Sequence, residues 1–202
     1  LRIIDISNPS SPIHVGYYDT PGDAKGVAVS GNYVYVADDA AALRIIDIST
    51  PTSPVEIGAI DTNNARGVAG SGDFVLVADI NEGLLVIDAS LPTAPRRVGV
   101  YRPGLTVSAV AVTGHHAFVN AGGITVLDVG NPADPVVVQN HAMEDWPDVL
   151  VVGGTTLLAA EYLTGVSVFG IAQCLLAPEV TVLAGPTALA DGQATALSFG
   201  TV

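Results

Sequence analysis

Short apolar segments separated by turn-forming residues follow one another from Leu1 to about Ile171. Each segment reaches only about five to eight residues before a Gly, Asp or Pro interrupts it. Segments of this length, in which Val and Ile dominate, are typical of β-strands packed on one or both faces. No stretch shows the 3.6-residue apolar period of an amphipathic helix. The pattern therefore predicts an all-β protein.

The strand pattern repeats along the chain. The segment LRIIDISNPSSP begins at Leu1 and LRIIDISTPTSP begins at Leu43, and only two of the twelve residues differ. The aspartate of this segment recurs at intervals of 42, 41 and 40 residues, at Asp5, Asp47, Asp88 and Asp128. A period of about 41 residues that holds four short strands is typical of a β-propeller blade. The predicted fold class is therefore an all-β propeller with four-stranded blades.

One repeat shows how the strands are assigned. Its four strands are predicted at Lys25–Ser30, Asn32–Asp38, Leu43–Ser49 and Val55–Asp61. Two prolines three residues apart follow every third strand, at Pro9 and Pro12, Pro51 and Pro54, Pro92 and Pro95, and Pro132 and Pro135. A P-x-x-P motif can bind a polyproline-recognising domain, but its recurrence at one joint favours a rigid turn between two strands.

The repeats account for 17 strands: two in a partial first blade, twelve in three complete blades and three in a fifth. Both ends of this series carry a strand of the third type. We therefore expect residues 1–171 to be a fragment of a larger ring of about six to eight blades, with a strained five-blade closure as the alternative. Residues 172–178 are predicted to be a linker, and residues 179–202 the start of a second, β-sandwich-like domain.

The repeated motifs also resemble a known family. The segments LRIIDIS, LRIIDIS, LLVIDAS and ITVLDVG each precede Pro-x-x-Pro and then strands of the GVAVSG and YVYVAD types. With these motifs the chain closely resembles the LVIVD-repeat family of β-propellers over residues 1–171. This resemblance implies a bacterial extracellular or cell-surface protein with a binding or scaffolding role, and it supplies no catalytic residues. The tail is similar to the start of the immunoglobulin-like modules of choice-of-anchor surface proteins.

The charge balance excludes two classes of partner. The chain has 7 Lys and Arg residues against 20 Asp and Glu residues, a formal net charge of −13. Such a charge repels nucleic-acid backbones and anionic lipid surfaces, so we expect no nucleic-acid partner. No apolar run approaches the roughly 20 residues of a transmembrane helix. The single cysteine, Cys174, cannot form an internal disulfide.

Two kinds of repeated polar residue have a structural explanation. An Asp-x-Ser segment before proline is typical of a side chain that caps a turn, so we expect the four repeated aspartates to accept backbone N–H bonds. The hairpin register also places Lys25 opposite Asp38 and Arg66 opposite Asp79. We expect both to be structural ion pairs, and exposed pairs of this kind contribute about 0–1 kcal/mol.

The fifth repeat is different, because the same register places Asp148 opposite Glu161. Two carboxylates at one place repel each other unless a proton or a cation lies between them. Glu144, Asp145 and Trp146 precede this strand. Oxygen ligands suit Ca²⁺, so these five residues are our candidate ligand-binding site, with Asp148 and Glu161 as possible calcium ligands. A solvated acidic edge is the alternative.

No motif of an established catalytic site is present, since the sequence lacks G-x-S-x-G, H-E-x-x-H and a Gly-rich phosphate loop. The favoured hypothesis is a non-catalytic extracellular or cell-surface binding or scaffold protein that interacts with a protein or a carbohydrate. The alternative is a metal-dependent propeller hydrolase or lyase with its site at the central channel. A passive spacer without a ligand is the third hypothesis.

Overall fold

The computed structural model describes residues 1–172, which form 17 β-strands in five antiparallel sheets that we call blades 1 to 5 in chain order. Blade 1 contains β1 (Arg2–Asp5) and β2 (Ile13–Tyr17). Blade 2 contains β3 (Gly26–Ser30), β4 (Tyr33–Ala37), β5 (Leu43–Asp47) and β6 (Val55–Ile60). Blade 3 contains β7 (Ala65–Ser71), β8 (Phe74–Asp79), β9 (Gly83–Asp88) and β10 (Arg96–Tyr101). Blade 4 contains β11 (Val110–Thr113), β12 (His116–Asn120), β13 (Ile124–Asp128) and β14 (Val136–His141). Blade 5 contains β15 (Pro147–Gly153), β16 (Thr156–Glu161) and β17 (Gly165–Gly170).

The predicted all-β propeller architecture is confirmed. The number of strands and their distribution among blades are those that the repeats predict, and each complete blade is a meander in which consecutive strands pair. The predicted linker at 172–178, apart from Ala172, and the predicted second domain at 179–202 lie outside the described residues. No helix formed by residues 1–172 is long and apolar enough to cross a membrane.

The hydrophobic core is divided among the spaces between neighbouring blades. Tyr35 of blade 2 and Leu85 of blade 3 belong to one buried cluster, and Phe118 of blade 4 shares another with Leu157 of blade 5. A third cluster joins blades 3 and 4, so both faces of these two blades are apolar, which explains the near-continuous Val, Ile and Leu of their second and third strands. The first strands β3, β7, β11 and β15 lie side by side in that order.

Two apolar faces remain exposed: the outward face of blade 5 and the face of β3 in blade 2, next to the two-stranded blade 1. In blade 5 the side chains of Val149, Val166 and Val168 are 52%, 65% and 53% exposed, and on β3 Val27 is 59% exposed. The equivalent faces of blades 3 and 4 are covered by a neighbouring blade. These two faces therefore have the composition of a contact between blades, but none of the described residues covers them.

The proline pairs form rigid turns, as the sequence predicts. In blade 2 the N–H of Ser53 donates to the carbonyl oxygen of Thr50 at 2.8 Å, which closes a β-turn around Pro51. The same bond recurs in blades 1, 3 and 4, from Ser11 to Asn8, from Ala94 to Leu91 and from Asp134 to Asn131. Proline suits the second position of such a turn because its ring fixes φ near −65°.

Candidate functional site

One end of the blades carries the loops that enter each blade and the loops that join its second strand to its third. We call this end the loop face. Within the described chain it comprises residues 18–25, 38–42, 61–64, 80–82, 102–109, 121–123, 142–146 and 162–164. The polar residues predicted as pairs or ligands lie on it or immediately beside it. The arrangement of these side chains decides what this face can bind.

Asp79 organises the loop face between blades 2 and 3. Its side chain is fully buried, and its Oδ2 accepts the N–H groups of Asn63 and Asn64 at 2.8 and 2.7 Å. Its Oδ1 accepts the N–H groups of Asn81 and Glu82, both at 2.9 Å. Four N–H donors satisfy the buried carboxylate, so Asp79 holds two loops together.

The equivalent positions of the neighbouring blades use different chemistry. Asp38 is also fully buried, and its Oδ2 accepts the N–H of Gly22 at 2.7 Å, whereas its Oδ1 has no hydrogen-bond partner among the described residues. In blade 4 the buried side chain is Asn120, whose Oδ1 accepts the N–H groups of Ser108 and Ala109, both at 2.8 Å. Its Nδ2 donates to the Pro147 carbonyl oxygen at 2.9 Å and so ties blade 4 to blade 5.

The predicted ion pairs are wrong, because both cations pair elsewhere. Lys25 forms its ion pair with Asp23, while the fully buried Asp38 accepts a backbone N–H instead. A β-bulge lies between Ala65 and Gly67 and places Ala65, not Arg66, opposite Asp79. The Nε of Arg66 donates to Asn64 Oδ1 at 3.2 Å. A bulge inserts one unpaired residue, so a register counted from the hairpin turn fails beyond it.

A second bulge separates the carboxylates predicted to face each other in blade 5. It lies between Pro147 and Val149, so Pro147 is opposite Glu161 and Asp148 is the extra, exposed residue. The Glu161 carboxylate accepts hydrogen bonds from the hydroxyl groups of Thr164 and Ser167. The opposition of Asp148 and Glu161 is therefore wrong, and the reason is again the unpaired residue of a bulge.

Among the described residues, the fold does not bring further ligands to the candidate calcium site. Across residues 1–172, no group of three or more His, Cys, Asp or Glu side chains is placed to hold a metal ion. Asp145 is used locally: its Oδ1 accepts the N–H of Trp146 at 2.8 Å, and its Oδ2 accepts the N–H of Leu163. Calcium binding at Asp148 and Glu161 stays a prediction.

Asp145 joins two loops that present large apolar side chains to solvent. Trp146 is 37% exposed, Tyr162 is 77% exposed and Leu163 is 79% exposed. We call these three residues the blade 5 patch. Glu144 and Asp148 are exposed beside it in sequence. Trp146 is a candidate from the sequence, whereas Leu163 is not, because an isolated apolar residue in a loop carries no periodic signal.

The repeated aspartates of the third strands lie at the opposite end of the blades and cap turns, as predicted. The carboxylates of Asp5, Asp47 and Asp128 accept N–H bonds of 2.7 to 2.8 Å from the residues two positions ahead, Ser7, Ser49 and Gly130. The hydroxyl and N–H of Ser90, and then the Arg96 guanidinium, lower the pKa of Asp88 from 3.8 to about 2. A carboxylate that accepts several bonds is stabilised in its charged form.

Comparisons with known proteins agree with this architecture. The family model of the LVIVD repeat matches residues 1–20, 21–62, 63–102 and 106–142. The structure is similar to the crystal structure of the computationally designed Ika4 protein, with a TM-score of 0.61, 15% identity and coverage of 77% of this chain and 96% of that chain. It is also similar to the computationally designed Ika8 protein, with a TM-score of 0.57 and 13% identity. That match covers 74% of this chain and 46% of the Ika8 chain. No curated protein matches the chain.

Proposed function

The chain belongs to the LVIVD-repeat family, and on that premise we propose that it is a non-catalytic binding or scaffold protein. Its partner is a protein or a glycan, and its place is outside the cell or on the surface of a bacterium. The acidic surface, with a formal net charge of −13, supports a soluble partner other than nucleic acid or an anionic membrane. Fold alone does not assign function, so the proposal depends on particular surface residues.

The blade 5 patch is the observation that carries the proposal. Exposed Trp and Tyr side chains supply large contact areas, and a few such residues usually dominate the binding energy of an interface. Asp145 holds the two loops of the patch together through its bonds to the N–H groups of Trp146 and Leu163. A patch fixed in this way loses little conformational entropy when a partner binds.

The polar residues at the ends of the inner strands support binding over catalysis. A propeller hydrolase or lyase needs convergent polar groups there, with free atoms that can contact a substrate. Asp79 and Asn120 are instead fully buried: the Asp79 carboxylate accepts backbone N–H groups, and the Asn120 amide accepts two N–H groups and donates to Ser108 Oγ and the Pro147 carbonyl oxygen. Their arrangement suits a scaffold that holds loops in place.

Array binding followed by substitution tests this proposal. The immobilised chain is exposed to a printed array of oligosaccharides and to purified fibronectin, collagen and fibrinogen, and each hit is titrated by biolayer interferometry. Trp146→Ala combined with Tyr162→Ala is expected to weaken a hit by about tenfold or more. Leu91→Ala is the matched control, because Leu91 is 59% exposed at the opposite end of the blades.

Three results would oppose the proposal. If the double variant binds a partner with full affinity, the blade 5 patch is not part of the interface. Turnover of nitrophenyl glycosides or esters that is lost in Asp148→Ala and Glu161→Ala would favour the metal-dependent hydrolase. Unchanged or improved stability of those two variants, without binding of any probe, would favour a passive spacer.

A further inference from the structure

The repeats create one equivalent slot between each pair of neighbouring blades, near the loop face. Three positions line it: the end of the outer strand of one blade, the residue three positions before the repeated aspartate on the third strand of the next blade, and the partner of that residue on the outer strand. In the blade 2–3 slot these residues are Ile60, Leu85 and Val100. All three belong to or pack against the same core cluster, so that slot is filled.

The blade 1–2 slot is filled in a different way. The hydroxyl of Tyr18 donates to Glu56 Oε2 at 3.0 Å, and Arg44 Nη1 donates to Glu56 Oε1 at 3.1 Å. Arg44 occupies the position that Leu85 has in the next slot. A long side chain therefore closes the space in both cases, once through an ion pair and once through apolar packing.

The blade 3–4 slot is open. Its corresponding residues are Tyr101, Thr125 and Asn140, and the short Thr125 replaces Arg44 and Leu85. A cavity of about 430 Å³ remains there, and its other walls include Leu105, Ala121 and Ile124. This volume is within the range of about 300–1,000 Å³ that is typical of small-molecule pockets.

The walls of the cavity specify the chemistry of a ligand. None of the ten described residues that line it is an Asp, Glu, Lys or Arg. Its one basic side chain is the buried His141, so a charged ligand would lose its hydration without meeting a permanently charged partner. The hydroxyl of Thr125, which donates to Asn140 Oδ1 at 2.8 Å, and the amide group of Asn140 supply polar groups. Ile124, Leu105 and the Tyr101 ring supply apolar walls.

We propose that the blade 3–4 cavity is a binding site for a small neutral hydroxyl-rich ligand of the size of a monosaccharide. The apolar walls contact the C–H face of a sugar ring, and Asn140 and Thr125 hydrogen-bond its hydroxyl groups. This site lies between blades 3 and 4 and is distinct from the blade 5 patch. The inference goes beyond the proposed function and does not depend on it.

The internal repeats supply the variants that test this site. Thr125→Leu introduces at this position the leucine that Leu85 supplies in the filled blade 2–3 slot. Asn140→Ala introduces the alanine found at the equivalent position of blade 2, Ala59. Asn140 is exposed, so the second variant is expected to fold even if the first does not. Thr93→Leu is the matched control, because Thr93 is exposed in the Pro-x-x-Pro turn of blade 3.

The measurement is saturation-transfer-difference NMR of the whole chain with D-glucose, D-galactose, D-mannose and N-acetylglucosamine, each at about 10 mM. At least one sugar is expected to bind, with affinity about tenfold weaker or lost in Thr125→Leu and Asn140→Ala but retained in Thr93→Leu. Trp146→Ala is expected to leave this binding unchanged, which separates it from the proposed partner interface. Absence of binding for every sugar would overturn the proposal, as would binding that a folded Asn140→Ala and Thr125→Leu both retain.

Discussion

Gly58 on the outer strand of blade 2 packs directly against the carbonyl oxygen of Pro92 in blade 3, at a position where a Cβ atom would lie 2.1 Å from that oxygen. The same relationship joins Gly16 to Pro51 and Gly99 to Pro132, at 2.0 Å in each case. The contact between the outer-strand glycine of one blade and the proline turn of the next therefore allows neighbouring blades to pack closely. In blade 4 the equivalent residue is Gln139, and no Pro-x-x-Pro follows β17 in the sequence.

Gly58→Ala is expected to destabilise the chain by about 1–3 kcal/mol, because the added methyl group must push two blade backbones apart. Gly70→Ala is the control, since a Cβ there would meet nothing closer than 3.7 Å. Urea unfolding followed by circular dichroism measures both variants. Equal stability of the two variants would show that the glycine contact does not hold the blades together.

Asp79→Asn is expected to cost more stability than Asp38→Asn. An amide at position 79 keeps one acceptor oxygen and turns an NH₂ group towards N–H donors, with a cost of about 1–3 kcal/mol. Asp38 accepts one backbone N–H and leaves Oδ1 without a partner among the described residues, so an amide fits there with a smaller loss. Chemical denaturation of the two variants compares them, and the reverse ranking would contradict this explanation.

Ala42→Gly is expected to stabilise the chain by about 0.5–1 kcal/mol, because strain in the backbone is relieved. Ala42 has a φ of 100°, and its equivalents Gly83, Gly123 and Gly165 have φ values of 94°, 127° and 104°. Ala40→Gly, at an exposed position of the same loop, is the control and is expected to be neutral or slightly destabilising. The melting temperature measures both effects, and a lower value for Ala42→Gly would contradict the prediction.

Asp88 is expected to contribute acid-sensitive stability. Its pKa in the folded chain is lowered from 3.8 to about 2 by Ser90 and Arg96, so the carboxylate stabilises the fold above pH 3.8. This contribution is lost as the pH falls through about 2, because the proton then binds both the folded and the unfolded chain. Thermal unfolding of the native chain and of Asp88→Asn at several pH values should give a difference that shrinks in this window. A difference that stays constant would show that the ionised carboxylate contributes nothing.

The sequence alone determined the strands, the period and the turns of this protein. These features depend on local rules: apolar runs interrupted by turn residues, proline at the second position of a turn, and Asp-x-Ser capping. Asp47 and Pro51 could therefore be interpreted without knowledge of any distant residue. The strand count and the blade assignment follow from the repetition of these local signals.

Only the tertiary structure decided which side chains meet. The bulges at Arg66 and Asp148 shift the register by one residue, and that shift removed the pairs of Arg66 with Asp79 and of Asp148 with Glu161. The cavity at Thr125 likewise cannot be predicted from the sequence of one strand, because its walls come from two blades, with Tyr101 in blade 3 and Thr125 in blade 4. The space between two packed sheets depends on residues from both of them, and no local pattern records it.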